Sequence, residues 1–169
     1  WVDGDVILGN PNIKLEVFVP KDDNIHFICA TDYVGLNDGI FMIRVNSWSL
    51  NFMMRAMAYQ YYHKEEDMYF ADQAALNSVL VNDQEEEHYM IVPQDWFNRY
   101  RNNIKPGDFI IHFAGDPHRN EDAKKIRQNM YSKPDWCAGQ TNKQLREKVL
   151  KYYEEHSKIE DRIKLKLFT

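Results

Sequence analysis

Three observations predict an α/β fold. Short apolar runs at 25–30 (IHFICA), 39–45 (GIFMIRV) and 108–114 (DFIIHFA) have the length and composition of buried strands. Stretches with few breakers, 48–62 and the segment from Thr141 onward, read instead as helices. The two kinds of segment alternate along the chain with no internal repeat, as α/β layers do. A length of 169 residues suits one compact domain over 1–169.

In chain order, 1–8 predicts a strand broken by the acidic turn Asp3-Gly4-Asp5 and ended by Gly9-Asn10-Pro11. Strands follow at 25–30 and 39–45, and Asn46-Ser47 then offers an N-cap. The helix over 48–62 carries Leu50, Phe52, Met53, Met54, Met57, Tyr59 and Tyr61, apolar on most faces, so we expect it to be largely buried. A second helix is expected over 72–81, with Asp72 near its N-terminus, where a carboxylate complements unpaired amides and the helix dipole. Strands are expected at 88–92 and 108–114, the latter announced by the turn Lys105-Pro106-Gly107. Thr141 and Gln144 have capping-box spacing, and Leu145, Val149 and Tyr152 repeat at helical spacing, which predicts an amphipathic helix over 141–160.

The composition narrows the function classes. With 44% hydrophobic residues, no part of the chain reads as disordered. Against 26 acidic residues stand 21 basic ones, a formal net charge of -5, with no basic stripe to follow a phosphate backbone, so nucleic acid is not an expected partner. No apolar run approaches the roughly 20 residues that span a bilayer, nor does the start have the order of a signal peptide, and a soluble piece is expected. A domain seldom opens on a buried-looking strand, so residues are expected before Trp1. Cys29 and Cys137 are too few for a disulfide framework. Ten Tyr and four Trp suit a cleft that stacks sugar rings, although a core is the commoner use of such residues.

Several residue patterns could carry chemistry. In a regular strand, Asp3 and Asp5 would lie about 6–7 Å apart on one face, so a turn made easy by Gly4 is the better way to converge two carboxylates on one ion. Such an ion would keep waters or accept diphosphate oxygens; the alternative is an ordinary acidic surface turn. A calcium loop of the EF-hand kind is excluded, because Ile7 and Leu8 occupy positions that need a ligand and a glycine. His112, alone in an apolar strand, is either a satisfied core residue or the partner that would suit two aspartates to Mn²⁺. Gly35-Leu36-Asn37-Asp38-Gly39 reads as a loop, built for close approach to a ligand or for a tight turn. Asp72-Gln73 is a site pair or a helix cap, and Trp96-Phe97-Asn98 is a sugar platform or core.

Taken in order, WVDGDVILGNPNI, GLNDGIFMIRVNSW, FADQAAL, WFN and GDFIIHFAGDP resemble glycosyltransferase family 34, which includes fungal α-mannosyl- and α-galactosyltransferases and plant xyloglucan xylosyltransferases. The resemblance covers roughly 1–130. It implies a GT-A fold, a Rossmann-like nucleotide-diphospho-sugar transferase architecture, of which this chain would be the C-terminal part beginning at the DxD motif. It implies retaining transfer of a hexose from GDP-mannose or UDP-galactose to a glycan acceptor. Asp3, Asp5 and His112 would hold Mn²⁺, Asn37, Asp72 and Gln73 would surround the transferred sugar, and Gly115 would let backbone approach the diphosphate. A full-length relative would be a type II membrane protein acting in the Golgi lumen, in some cases within a glycosyltransferase complex.

Some positions depart from the family pattern. Asp116-Pro117-His118-Arg119 stands where the family often has a cysteine and, in plants, a lysine, which leaves His118 or Arg119 as the cation for the diphosphate. Ala71 replaces an aspartate of the plant members and Asp38 a common threonine, so donor identity stays open between mannose, slightly favoured, and galactose. A rival resemblance is to phosphohydrolases of the haloacid dehalogenase type, with Asp3 as nucleophile, Thr31 ending the second strand, and Gly115-Asp116 followed by Glu121 and Asp122. It leaves GLNDG, FADQ and HFAG unexplained. A carbohydrate-binding module without catalysis is the third reading.

Overall fold

The computed structural model describes residues 1–66, 68 and 70–167. They form a mixed α/β structure of two three-stranded sheets and four α-helices that divides into two compact units. The first comprises residue 1, 21–93 and 156–169; the second comprises 2–20 and 94–155.

In the first unit, strands β2 (Phe27–Thr31), β3 (Leu36–Ile43) and β4 (Tyr89–Ile91) form a sheet in the order β3-β2-β4. β2 runs antiparallel to β3 and parallel to β4. β3 begins earlier than the sequence led us to expect and takes in most of the segment read as a loop. Cys29 pairs with Phe41 and the next residue, Ala30, with Asn37, so Asp38, Gly39 and Ile40 are extruded as an irregularity within the strand. Two helices pack with the sheet, α1 (Ser47–Tyr62) and α2 (Ala71–Asn82), around Phe27, Phe41, Phe52, Tyr59, Leu76 and Leu80. The Asn46 side chain caps α1, accepting from the Ser49 backbone N–H at 2.9 Å.

The expected burial of the first helix is corrected. α1 buries only Ser49, Phe52, Ala56 and Tyr59, while Leu50, Met54, Met57 and Tyr61 form an exposed stripe, with Met57 87% exposed. Hydrophobicity on all faces cannot say how many neighbours a helix has, and α1 meets the core along one line of side chains. The helix buried through most of its length is α2, whose residues 73–80 are all buried and whose small side chains Ala74, Ala75 and Ser78 allow close neighbours on several sides.

In the second unit, β1 (Val6–Leu8), β5 (Arg99–Tyr100) and β6 (Ile110–His112) form a sheet in the order β1-β6-β5. β1 is antiparallel to β6, with Val6 opposite His112, and β5 is parallel to it, with Tyr100 opposite His112. Gly9 is glycine for want of space, because a Cβ there would lie 2.5 Å from the Asp108 carbonyl oxygen. Ile7, Ile111, Phe113, Ile126 and Trp136 form a core between this sheet and α3 (Arg119–Ser132). The last helix, α4 (Asn142–Glu155), has the expected capping box, in which Thr141 N–H donates to Gln144 Oε1 at 3.0 Å and Gln144 N–H to Thr141 Oγ1 at 3.3 Å. It ends before the expected residue 160, and Ile159–Asp161 form a separate 3₁₀ turn. Past Tyr153 the sequence Glu-Glu-His-Ser-Lys offers no apolar side chain to continue the buried line. Among the described residues no helix is long and apolar enough to cross a membrane.

Candidate functional site

The second unit brings Asp3, Asp5 and His112 together. One ligand atom of each lies within 4.8 Å of the others. The local chain path explains this. Gly4 and Asp5 form a turn immediately before β1, so Asp5 escapes strand alternation, and its carbonyl accepts from Phe113 N–H at 2.9 Å, which ties the turn to the end of β6. Asp5 Oδ1 lies 3.4 Å from His112 Nε2. Both aspartates are half-buried and His112 is buried, an environment in which a charged ligand is screened less than in bulk water.

The other side of the imidazole is occupied. His112 Nδ1 lies 2.9 Å from Asn98 Oδ1, and Asn98 is fully buried. The Tyr100 ring meets the imidazole edge-on at 5.6 Å. Ile111 and Phe113, on the opposite face of β6, point into the core. Two carboxylates and an imidazole are donor types that could hold a divalent cation together.

The residues after β6 are ordered by Asp116. Gly115 has φ +63°, the left-handed region that favours glycine, and a Cβ there would meet nothing within 4 Å. Asp116 is buried; its Oδ1 accepts from His118 N–H at 2.8 Å and its Oδ2 from Arg101 Nη1 at 2.9 Å. His118 precedes α3 and Arg119 is its first residue, both exposed. Arg101 also donates to Asp122 at 2.8 Å. Sequence reasoning missed Arg101, which lies 15 residues from Asp116 and matches no motif.

Asn37, Asp72 and Gln73 belong to the first unit. Asn37 is buried, donates to Asp32 Oδ2 at 3.1 Å and accepts from Gly39 N–H at 3.2 Å, which closes the extruded part of β3. The buried Gln73 accepts from Asp38 N–H through Oε1 at 3.3 Å. Asp72 is exposed and is not the N-cap; that position is Phe70, and Asp72 Oδ1 accepts from the Gln73 N–H at 3.1 Å. Beside it opens a cleft of about 710 Å³ with Asp38, Asp72 and Gln60 among apolar walls that include Trp1, Phe41 and Met57.

Phe97 resolves as core, whereas Trp96 is half-buried. Phe97 is buried edge-on against Phe18, and Trp96 packs against Phe18, Tyr152 and Tyr153. The local geometry does not favour the phosphohydrolase reading: β1 follows the aspartates instead of leading into them, and Asp116 accepts from Arg101 and His118.

The chain thus has a mixed α/β structure with a carboxylate–imidazole cluster that could hold a metal ion. A family model described as the galactosyl transferase GMA12/MNN10 family matches residues 2–123, and the chain belongs to this family, glycosyltransferase family 34. An uncharacterized alpha-1,2-galactosyltransferase of Schizosaccharomyces pombe is 32% identical over 102 residues, which are 55% of this chain and 26% of that protein. The chain thus spans about a quarter of the length of that relative. No solved structure matches.

Proposed function

We propose that the chain is part of a Mn²⁺-dependent retaining hexosyltransferase of GT-A fold that moves galactose from UDP-galactose to a hydroxyl of a glycan acceptor. The observation that carries this reading is the convergence of Asp3, Asp5 and His112 within 4.8 Å. Mixed oxygen and imidazole ligation suits Mn²⁺ better than Mg²⁺. Bound there, the ion would supply positive charge against the leaving nucleoside diphosphate. Asp3 and Asp5 would hold it from the turn before β1, and His112 from β6. Gly115, with open space at its Cα, leaves room for phosphate oxygens, and His118 and Arg119 are the cations proposed to meet them.

Asn37, Asp72 and Gln73 are proposed to surround the transferred sugar, a role that rests on the family resemblance. The adjoining cleft supports it in kind, since carboxylate and amide groups set among apolar walls match the hydroxyls and ring faces of a sugar. Galactose is preferred over mannose because the relative carries a galactosyltransferase name. Action in the Golgi lumen, as the catalytic part of a type II membrane protein that can join a glycosyltransferase complex, is proposed on the resemblance alone.

The test uses the complete natural enzyme with glycan acceptors, UDP-galactose or GDP-mannose, and Mn²⁺ or chelator, with the product anomer read by proton NMR. The expected result is α-linked galactose formed only with Mn²⁺ and lost in Asp5→Ala. Transfer that persists in chelator, or in Asp5→Ala, would remove the metal reading; transfer from GDP-mannose alone would replace the donor.

A further inference from the structure

We propose that Asn98 is the positioning residue that makes His112 a metal ligand, its carboxamide oxygen holding the Nδ1 proton so that Nε2 turns a lone pair toward the two aspartates. The inference rests on the cation reading above and extends it to a residue beyond the three ligands.

A carboxamide oxygen has no proton to give, so the 2.9 Å contact between Asn98 Oδ1 and His112 Nδ1 is a hydrogen bond only when Nδ1 carries the hydrogen. A neutral imidazole protonated there is bare at Nε2, the nitrogen 3.4 Å from Asp5 Oδ1. The opposite tautomer would aim an N–H at the position a cation must occupy. Ring rotation is opposed as well, because it would exchange Nδ1 for a carbon at the Asn98 oxygen and lose this buried hydrogen bond.

Asn98 is itself held firmly. It is 0% exposed, and its backbone N–H donates to the Gln94 carbonyl at 2.9 Å. The next two residues form β5, whose pairing sets Tyr100 opposite His112. Arg99 anchors that strand through ion pairs with Asp95 at 3.3 Å and Asp108 at 3.2 Å. One short strand and the residue before it therefore deliver both the acceptor at Nδ1 and the ring that walls the imidazole.

The experiment titrates Mn²⁺ alone into wild type, Asn98→Ala and Asn98→Asp, counting free ion by electron paramagnetic resonance, with melting temperatures of the same metal-free samples alongside. Long-range proton–nitrogen NMR of metal-free wild type reads the His112 tautomer without any substitution, so the proposal stays testable if a variant fails to fold. Expected are a proton on Nδ1, affinity about 10–100-fold weaker in Asn98→Ala, and recovery to within a few-fold in Asn98→Asp, which keeps an acceptor. Unchanged Mn²⁺ affinity in Asn98→Ala, no recovery in Asn98→Asp, or a neutral wild-type imidazole with its one proton on Nε2 would overturn the inference and leave the cation reading standing. A wild type that binds no Mn²⁺ would overturn both.

Discussion

Each compact unit pairs a histidine with an asparagine, and the two hydrogen bonds run in opposite directions. In the second unit, Asn98 presents its oxygen to His112 Nδ1. In the first, Asn46 presents its nitrogen to His26 Nδ1 at 3.0 Å, because its oxygen is already committed to the Ser49 N–H as the cap of α1. An amide nitrogen only donates, so His26 Nδ1 is bare and is used up as an acceptor. The same two residue types thus yield a nitrogen that faces a carboxylate in one place and a helix-cap brace in the other. What separates them is which end of the carboxamide meets the ring.

The largest expected effect that separates the two pairs is on cation binding. His112→Ala should weaken Mn²⁺ binding by about two orders of magnitude or more, whereas His26→Ala should leave it unchanged; isothermal titration of both variants gives the comparison. Asn46→Ala comes next. Loss of the α1 cap should cost about 1 kcal/mol, read as a lower urea midpoint with Mn²⁺ affinity intact.

The smallest effect concerns pH. Burial lowers the His26 pKa below its ordinary 6.5, with further lowering by His88 and Arg44, opposed by Asp22 and Asp23. His88 stacks on it at 5.1 Å, and the N-terminal end of α1 adds partial positive charge. Below pH 6.5 the unfolded chain then binds more protons at this site than the folded one. The contribution of His26 is accordingly full above 6.5 and declines as pH falls toward the lowered folded value. Between pH 7.5 and 5.5, His26→Gln should lose less melting temperature than wild type; an equal loss would show that His26 does not titrate against the cap.

How much of this could be read in the sequence differs between the two units. Asp3, Asp5 and His112 were legible because the order of motifs carried them, though they lie far apart in sequence and the β1–β6 pairing and the Phe113–Asp5 hydrogen bond bring them together. The α4 capping box was legible because both partners lie within one turn. Asn98 was not, since asparagine next to Trp96 and Phe97 fits a loop, a core or a site, and its role depends on the register of β5. GLNDG has turn composition, yet pairing with β2 draws Leu36 and Asn37 into a strand and extrudes the rest. The hydrophobicity of α1 was read correctly and its burial was not, because burial depends on neighbours that a helical pattern does not encode.

The central claim is that one divalent cation binds at Asp3, Asp5 and His112. The most direct measurement is the broadening of backbone amide signals by substoichiometric Mn²⁺ in an assigned proton–nitrogen spectrum of this chain. The account expects the signals of Asp3, Gly4, Asp5, His112 and Phe113 to vanish first in wild type and to persist in Asp5→Ala. Broadening centred instead on the Asp38 and Asp72 cleft, or unaltered by Asp5→Ala, would contradict it.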